Sequence, residues 1–262
     1  MTDERRAVSI SGSGRLSGGT YAGVTISGSG RIEGDLTADV FRISGSGKVE
    51  GDLEAKEVRV SGSGKVTGET NAGQITVSGS GTFGGNVDAE EIRSSGACRV
   101  EGYLHAKEIK SSGSFRVSES VTGDYVKVTG TLRVGGDVES EIFKSTGLFD
   151  IAGLLSADKV EVQLAGLCRA REIGGERIEV RGFTHRFQLL EDLTKALLGK
   201  RGGARLETSQ IEGDEITLEN TQADIVRGKH VEIGPGCRIG AVEYEDTLKV
   251  HKDARVETKT KL

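Results

Sequence analysis

Four times between residues 26 and 93 an aliphatic residue leads into Ser-Gly-Ser-Gly: Ile26, Ile43, Val60 and Val77 each open the same four letters, 17 residues apart. A period this short and regular means one structural unit stacked on itself, because no single copy can enclose a core alone. With the lead residue as position 1, position 7 is Leu16, Ile32, Val49, Val66, Phe83, Val100, Val117, Val134 and Ile151 in successive copies. Position 16 is Val24, Phe41, Val58, Ile75, Ile92, Ile109, Val126, Phe143 and Val160. Position 11 is mostly aliphatic (Leu36, Leu53, Val87, Leu104, Val121, Val138, Leu155) and position 13 mostly Ala (Ala22, Ala38, Ala55, Ala72, Ala89, Ala106, Ala157). Positions 16 and 1, 5 and 7, and 11 and 13 are pairs two apart. That is strand alternation, and it predicts three short strands per copy with turns between them.

Helical repeats need roughly 33 to 47 residues per unit and are excluded on length. The fold class is therefore all-β: a parallel β-helix of about 13 rungs with about 17 residues in each. Rungs stacked about 4.8 Å apart predict a rod of roughly 60 Å. Gly at position 3 (Gly12, Gly28, Gly45, Gly62, Gly79, Gly96, Gly113, Gly130, Gly147) and often at position 9 (Gly34, Gly51, Gly68, Gly85, Gly102, Gly136) suits corners that need a positive φ or a close backbone approach. Position 5 is Gly as far as Gly81 and then becomes Cys98, Phe115, Leu132 and Phe149, while position 1 shrinks to Ser94, Ser111 and Ser145. Large beside small keeps a narrow section filled.

Forty Gly, one Pro, no Trp and 35% hydrophobic residues are poor provision for a globular domain of 262 residues but enough for the thin core of a solenoid. Net charge is −5, with 35 Lys+Arg against 40 Asp+Glu, so no basic excess calls for nucleic acid. No apolar run approaches 18 residues, and Met1–Ala7 carries no apolar signal core, which predicts a cytoplasmic protein. Cys98, Cys168 and Cys237 stand far apart without a C-x-x-C, so buried reduced thiols are expected rather than a disulfide or a metal site.

In chain order, residues 1–8 read as a polar lead and 9–183 as rungs, the first of them one residue short. The period breaks after Val180. Residues 184–203 then read as an inserted amphipathic α-helix, at 185–199, and a return loop. Leu189, Leu190, Leu193, Ala196 and Leu197 share one face of that helix and Gly199 stops it. Packing on the flank of the coil is the expected use of that face; a protein partner or a membrane surface is the other. Rungs resume over 204–258, with Ile216 and Leu218, Val231 and Ile233, and Leu248 and Val250 repeating the inward pair, and 259–262 is a tail.

Outward positions carry columns of cations. Position 6 reads Arg15, Arg31, Lys48, Lys65, Thr82, Arg99, Arg116 and Arg133, and position 17 reads Arg42, Arg59, Arg93, Lys110, Lys127 and Lys144. Glu33, Glu50 and Glu101 flank the first column, and Glu57, Glu91 and Glu108 the second. Mutual neutralisation on a solvated face is the reading favoured over a basic stripe for a polyanion.

Gly47-Lys48-Val49-Glu50-Gly51-Asp52-Leu53-Glu54-Ala55-Lys56-Glu57-Val58 resembles the rungs of the bactofilins, bacterial polymer-forming cytoskeletal proteins, and the resemblance extends over residues 8–180. It implies a right-handed coil that assembles end to end into filaments without nucleotide, as a scaffold for cell shape, the envelope or motility. The chain departs from that pattern in being about twice as long in rungs, in its inserted helix, and in lacking a long disordered tail with a membrane-targeting peptide.

Open ladder edges template pairing unless they are covered, so the chain itself is the expected partner, with no small-molecule substrate. A monomeric or dimeric binding scaffold that uses the helix or the charged columns is the alternative. A carbohydrate-active enzyme is the weaker one, because the corners are too short for a groove and His105, His185, His230 and His251 fall in unrelated places. No catalytic, cofactor-binding or metal-binding residue is assigned, and no cofactor is expected.

Overall fold

The computed structural model describes residues 5–182 and 203–262. They divide into two compact units, Met1–Val126 with Gly130–Gly136, and Lys127–Thr129 with Asp137–Leu262. The first carries β1 (Ala7–Ile10), β2 (Ser13–Ile26), β3 (Ser29–Ile43), β4 (Ser46–Glu50), β5 (Leu53–Val60), β6 (Ser63–Val66) and β7 (Thr70–Val77). It continues with β8 (Ser80–Phe83), β9 (Val87–Ser94), β10 (Ala97–Val100), β11 (Leu104–Ser111), β12 (Ser114–Val117), all but the end of β13 (Val121–Val128), and β14 (Thr131–Val134). The second carries β15 (Val138–Ser145), β16 (Leu148–Gln163), β17 (Leu167–Arg181), β18 (Arg205–Leu218), β19 (Thr221–Ile233), β20 (Arg238–Val250) and β21 (Arg255–Lys261).

Both units are parallel β-solenoids, with about 14 turns among the described residues against the 13 read from the sequence. Register follows the repeat: Leu53 stands over Leu36 and under Thr70, and Val49 pairs with Ile32 and Val66. Positions 7, 11, 13 and 16 point inward; Val49, Val58, Ile75, Val87 and Val100 are buried.

Three strands per rung is corrected to two in most of the first unit. In β5 the burial pattern runs buried, exposed, buried, exposed, intermediate, buried, exposed, buried. Two consecutive outward residues, Lys56 and Glu57, turn the chain without breaking its ladder, so positions 11 to 1 form one bent strand. Positions 4 to 7 form the second, as in β6.

The position-3 corner explains the glycines differently from a positive φ. Among the described residues only Gly19, Gly34 and Gly236, with Asn220, have one. At the corner, Ser44 and Gly45 both donate their N–H to Ile26 O, at 2.9 and 3.1 Å, and Ser46 N donates to Gly28 O at 2.8 Å. That places each corner carbonyl where the next rung's Cβ would lie. A Cβ on Gly62, Gly79 or Gly96 would stand 2.1, 2.1 or 2.0 Å from the carbonyl oxygen of the glycine one rung below. Close approach, not handedness of the backbone, selects glycine here.

Position 5 obeys the exchange of fillers. A Cβ on Gly47 would lie 2.8 Å from Ile43 Cδ1, and one on Gly64 3.0 Å from Val60 Cγ1. The lead side chain already occupies that space. Where Phe115 and Phe149 fill position 5, Ser111 and Ser145 stand buried at position 1.

The short first rung closes through an irregularity between Ser17 and Gly19, with Gly19 at φ 138°. Tyr21, not Ala22, pairs with Ala38 and is buried, and its hydroxyl donates to Ser17 O at 2.9 Å. Ladder pairing also reaches Ala7 and Val8 at one end and Lys259 and Lys261 at the other, residues that the sequence reading gave to the lead and tail. The inserted helix at 185–199 and its apolar face lie outside the described residues. β17 and β18 nevertheless pair in register on either side of it, Ile173 with Ile211 and Ile178 with Ile216.

Candidate assembly edge and charged faces

β1 is the first rung edge. It pairs in parallel with β2, Val8 with Val24 and Ile10 with Ile26, and its other edge meets no strand among the described residues. Val8, Ile10 and Leu16 are only half-buried, whereas their counterparts one rung on are enclosed. Gly12 heads the glycine column: a Cβ there would meet nothing within 4 Å, while one on Gly28 would meet Gly12 O at 2.2 Å. The last edge differs. Lys259 stands on Val242 in an interior column, so a further layer there would meet an ammonium group.

The second column of cations is neutralised at Arg42, Arg59, Arg93, Lys110 and Lys144, while Lys127 makes no ion pair among the described residues. Arg42 lies 3.6 Å from Glu57, Arg59 pairs with the same carboxylate, and Arg93 pairs with Glu91. Lys110 meets Glu108 at 2.5 Å, and Lys144 meets Glu161 at 2.8 Å. Hydrogen bonding to Lys110 holds the Glu108 carboxyl below its ordinary value, and Lys144, then Lys159, does the same for Glu161.

The position-6 column is neutralised only in part. Arg15 meets Glu33 at 3.4 Å, Arg31 and Lys48 share Glu50 at 3.1 and 2.5 Å, and Arg99 meets Glu101 at 3.7 Å. The hydrogen bond from Lys48 lowers the Glu50 pKa, with Arg31 adding to it. Lys65, Arg116 and Arg133 have no ion-pair partner among the described residues, because the flanking Glu is replaced by Thr67, Ser118 and Gly135.

A polar ladder at position 10 was not read from the sequence. Asp52 N donates to Asp35 Oδ1 and Glu69 N to Asp52 Oδ1, each at 2.8 Å; Tyr103 N donates to Asn86 Oδ1 at 3.2 Å. Leu154 N donates to Asp137 Oδ1 at 2.8 Å in the second unit. These side chains accept amides that the corner takes out of the strand ladder. The recurrent Gly-Asp or Gly-Asn at positions 9 and 10 was the available signal.

The three cysteines are free and buried. Burial pushes the Cys98 thiol up to about 12 and that of Cys237 to about 11. His105 is exposed, His230 Nδ1 lies 3.1 Å from Thr247 Oγ1, and His251 Nδ1 is 3.7 Å from Asp253; His185 is outside the described residues. Among the described residues no cluster of three or more His, Cys, Asp or Glu is placed to hold a metal. Among the described residues no helix is long and apolar enough to cross a membrane.

Rungs stacked in parallel register, corners closed by backbone carbonyls and a first edge that meets no strand among the described residues define a β-solenoid repeat protein. The model of the bactofilin family, described as polymer-forming cytoskeletal, matches residues 4–88 and 41–118 of the chain. Two relatives from Bacillus subtilis (strain 168), both described as uncharacterized, are similar over part of the chain. YhbF is 37% identical over 111 residues, 42% of this chain and 42% of its own length. YhbE is 42% identical over 113 residues, 43% of this chain and 44% of its own. The chain thus spans less than half the length of either relative. No solved structure matches.

Proposed function

We propose that this chain polymerises with its own kind through its rung edges and acts in the cytoplasm as a nucleotide-independent cytoskeletal scaffold. In this reading residues 7–181 and 205–261 supply rungs, and the residues between 181 and 205 are an insertion. The observation that carries it is the β1 edge, which meets no strand among the described residues: it stands beside half-buried Val8, Ile10 and Leu16, with room over Gly12 for the carbonyl of another rung. Completing the ladder with a second copy satisfies the backbone groups and removes apolar surface from water at once. The description of the matched family supports the same reading. Contact between like edges is two-fold and closes, whereas contact between unlike edges repeats into a fibre.

Electron microscopy and sedimentation of the purified chain in nucleotide-free buffer test this. Filaments, or rods lengthened by whole copies, are the expected result. Particles that remain single across a wide range of salt and protein concentration would overturn it.

A further inference from the structure

We infer that the position-6 face of the first unit binds a linear polymer of repeated phosphate groups. The column runs Arg15, Arg31, Lys48, Lys65, Thr82, Arg99, Arg116, Arg133, each residue paired to the next in the parallel ladder. Successive members therefore stand about 4.8 Å apart. Like charges on neighbouring rungs repel one another. Glu50 pairs with Arg31 and Lys48, whereas Lys65, Arg116 and Arg133 make no ion pair among the described residues.

Beside the cations runs a second column at position 4, with exposed hydroxyls at Ser13, Ser29, Ser46, Ser63, Ser80 and Ser114. Between them, from Arg15 to Lys65, lies a shallow groove floored by Gly14, Gly30 and Gly47. Cations beside hydroxyl donors, repeated along a line, are what phosphate oxygens require.

The geometry selects a chain over a plane. The charge is one residue wide, and Glu33, Glu50 and Glu101 border it, so a flat anionic membrane laid on this face would meet those carboxylates. A single strand following the groove meets only cations and hydroxyls. No aromatic residue occupies positions 4, 6 or 8 in this unit, so the face has no platform on which bases could stack. It reads the phosphates alone.

The test is binding of long-chain inorganic polyphosphate to the full chain, followed by fluorescence anisotropy across a salt series. The wild type should bind at low salt and weaken steeply as salt rises. Lys65→Gln, Arg116→Gln and Arg133→Gln together should weaken binding at least about tenfold and flatten the log–log salt slope by about 2. Arg31→Gln, which removes a cation already shared with Glu50, should change affinity by less than about threefold. Thr67→Glu with Ser118→Glu restores the missing carboxylates without touching a cation, and should weaken binding while the melting curve stays in place.

Several results would each overturn the inference: no binding at low salt, equal binding by the triple variant, or equal affinity for tripolyphosphate and the long chain. Preference for vesicles of anionic phospholipid over polyphosphate would assign the face to a membrane instead, and tighter binding of poly-dT would show base recognition; both also overturn it.

Discussion

The carbonyl oxygen of Gly28 lies 2.1 Å from the place a Cβ on Gly45 would take. Neither partner can yield, since that carbonyl also accepts the N–H of Ser46 at 2.8 Å. Gly45→Ala must therefore push two rungs apart at their corner. We expect a loss of about 3 kcal/mol or more, read as a fall in the denaturant midpoint. Gly12→Ala, with no atom within 4 Å, should stay within about 0.5 kcal/mol of wild type. Equal effects at the two positions would refute the carbonyl-stacking account.

Asp52 holds the amide of Glu69 through Oδ1 at 2.8 Å, while its own amide donates to Asp35 at the same distance. Asp52→Ala should cost about 1 kcal/mol and raise hydrogen exchange at Glu69, and Asp52→Asn should recover most of the loss. Unchanged exchange at Glu69 would mean that solvent serves the amide as well.

Positions 1 and 5 should be energetically coupled. Ser111→Val alone overfills a section already occupied by Phe115, and Phe115→Gly alone leaves a cavity; each should destabilise, the second by about 3 kcal/mol or more. Together they recreate the Val60 and Gly64 arrangement, in which the lead side chain fills the space over the glycine. A double-mutant cycle should give a favourable coupling of about 1 to 3 kcal/mol. Simple additivity would show that the two positions do not share space.

Cys98 has a pKa of about 12 in the folded chain, against 9.0 for the free side chain, because burial disfavours the thiolate. The raised value means that its contribution to stability is complete below pH 9 and is lost as pH rises towards 12. Native protein at pH 8 should be inert to an aromatic disulfide reagent and react only after unfolding, at a rate that follows global opening. Cys98→Ser should remove this part of the alkaline fall in stability. On the acid side the Lys48-bonded Glu50 has a lowered pKa, so its contribution is present above 4.5 and lost as pH falls through the folded value.

The sequence period made the path of the chain legible because each inward column is a single physical demand repeated at every rung. Val49, Val66 and Val100 are buried as their positions required, as are the fillers Cys98, Phe115 and Phe149. Alternation could not show that Lys56 and Glu57 bend a strand instead of ending it, since a bend and a break leave the same two outward residues. The exchange of Tyr21 for Ala22 was hidden for a related reason: the missing residue of the first rung is absorbed near Gly19, before position 13, which moves the inward place back by one. Of the candidate faces, the cation columns were plain from composition at each position. Which cations stay unrelieved depended on Thr67, Ser118 and Gly135, ordinary residues whose meaning lies in standing where Glu50 and Glu101 stand in other rungs.

The corner after position 1 changes character along the chain. From Gly28 to Gly130 it is a two-residue step whose glycine excludes even a methyl group. After β16 it lengthens to Leu164-Ala165-Gly166, and at the next turn the ladder ends at Arg181, where Gly182 N–H is held by Glu219 at 2.8 Å, and resumes at Arg205. Room for added sequence is thus set by whether a neighbouring carbonyl seals the vertex. For anyone grafting a tag, epitope or enzyme onto this scaffold, the sealed vertices are forbidden ground and the one already opened at Gly182 is the natural port.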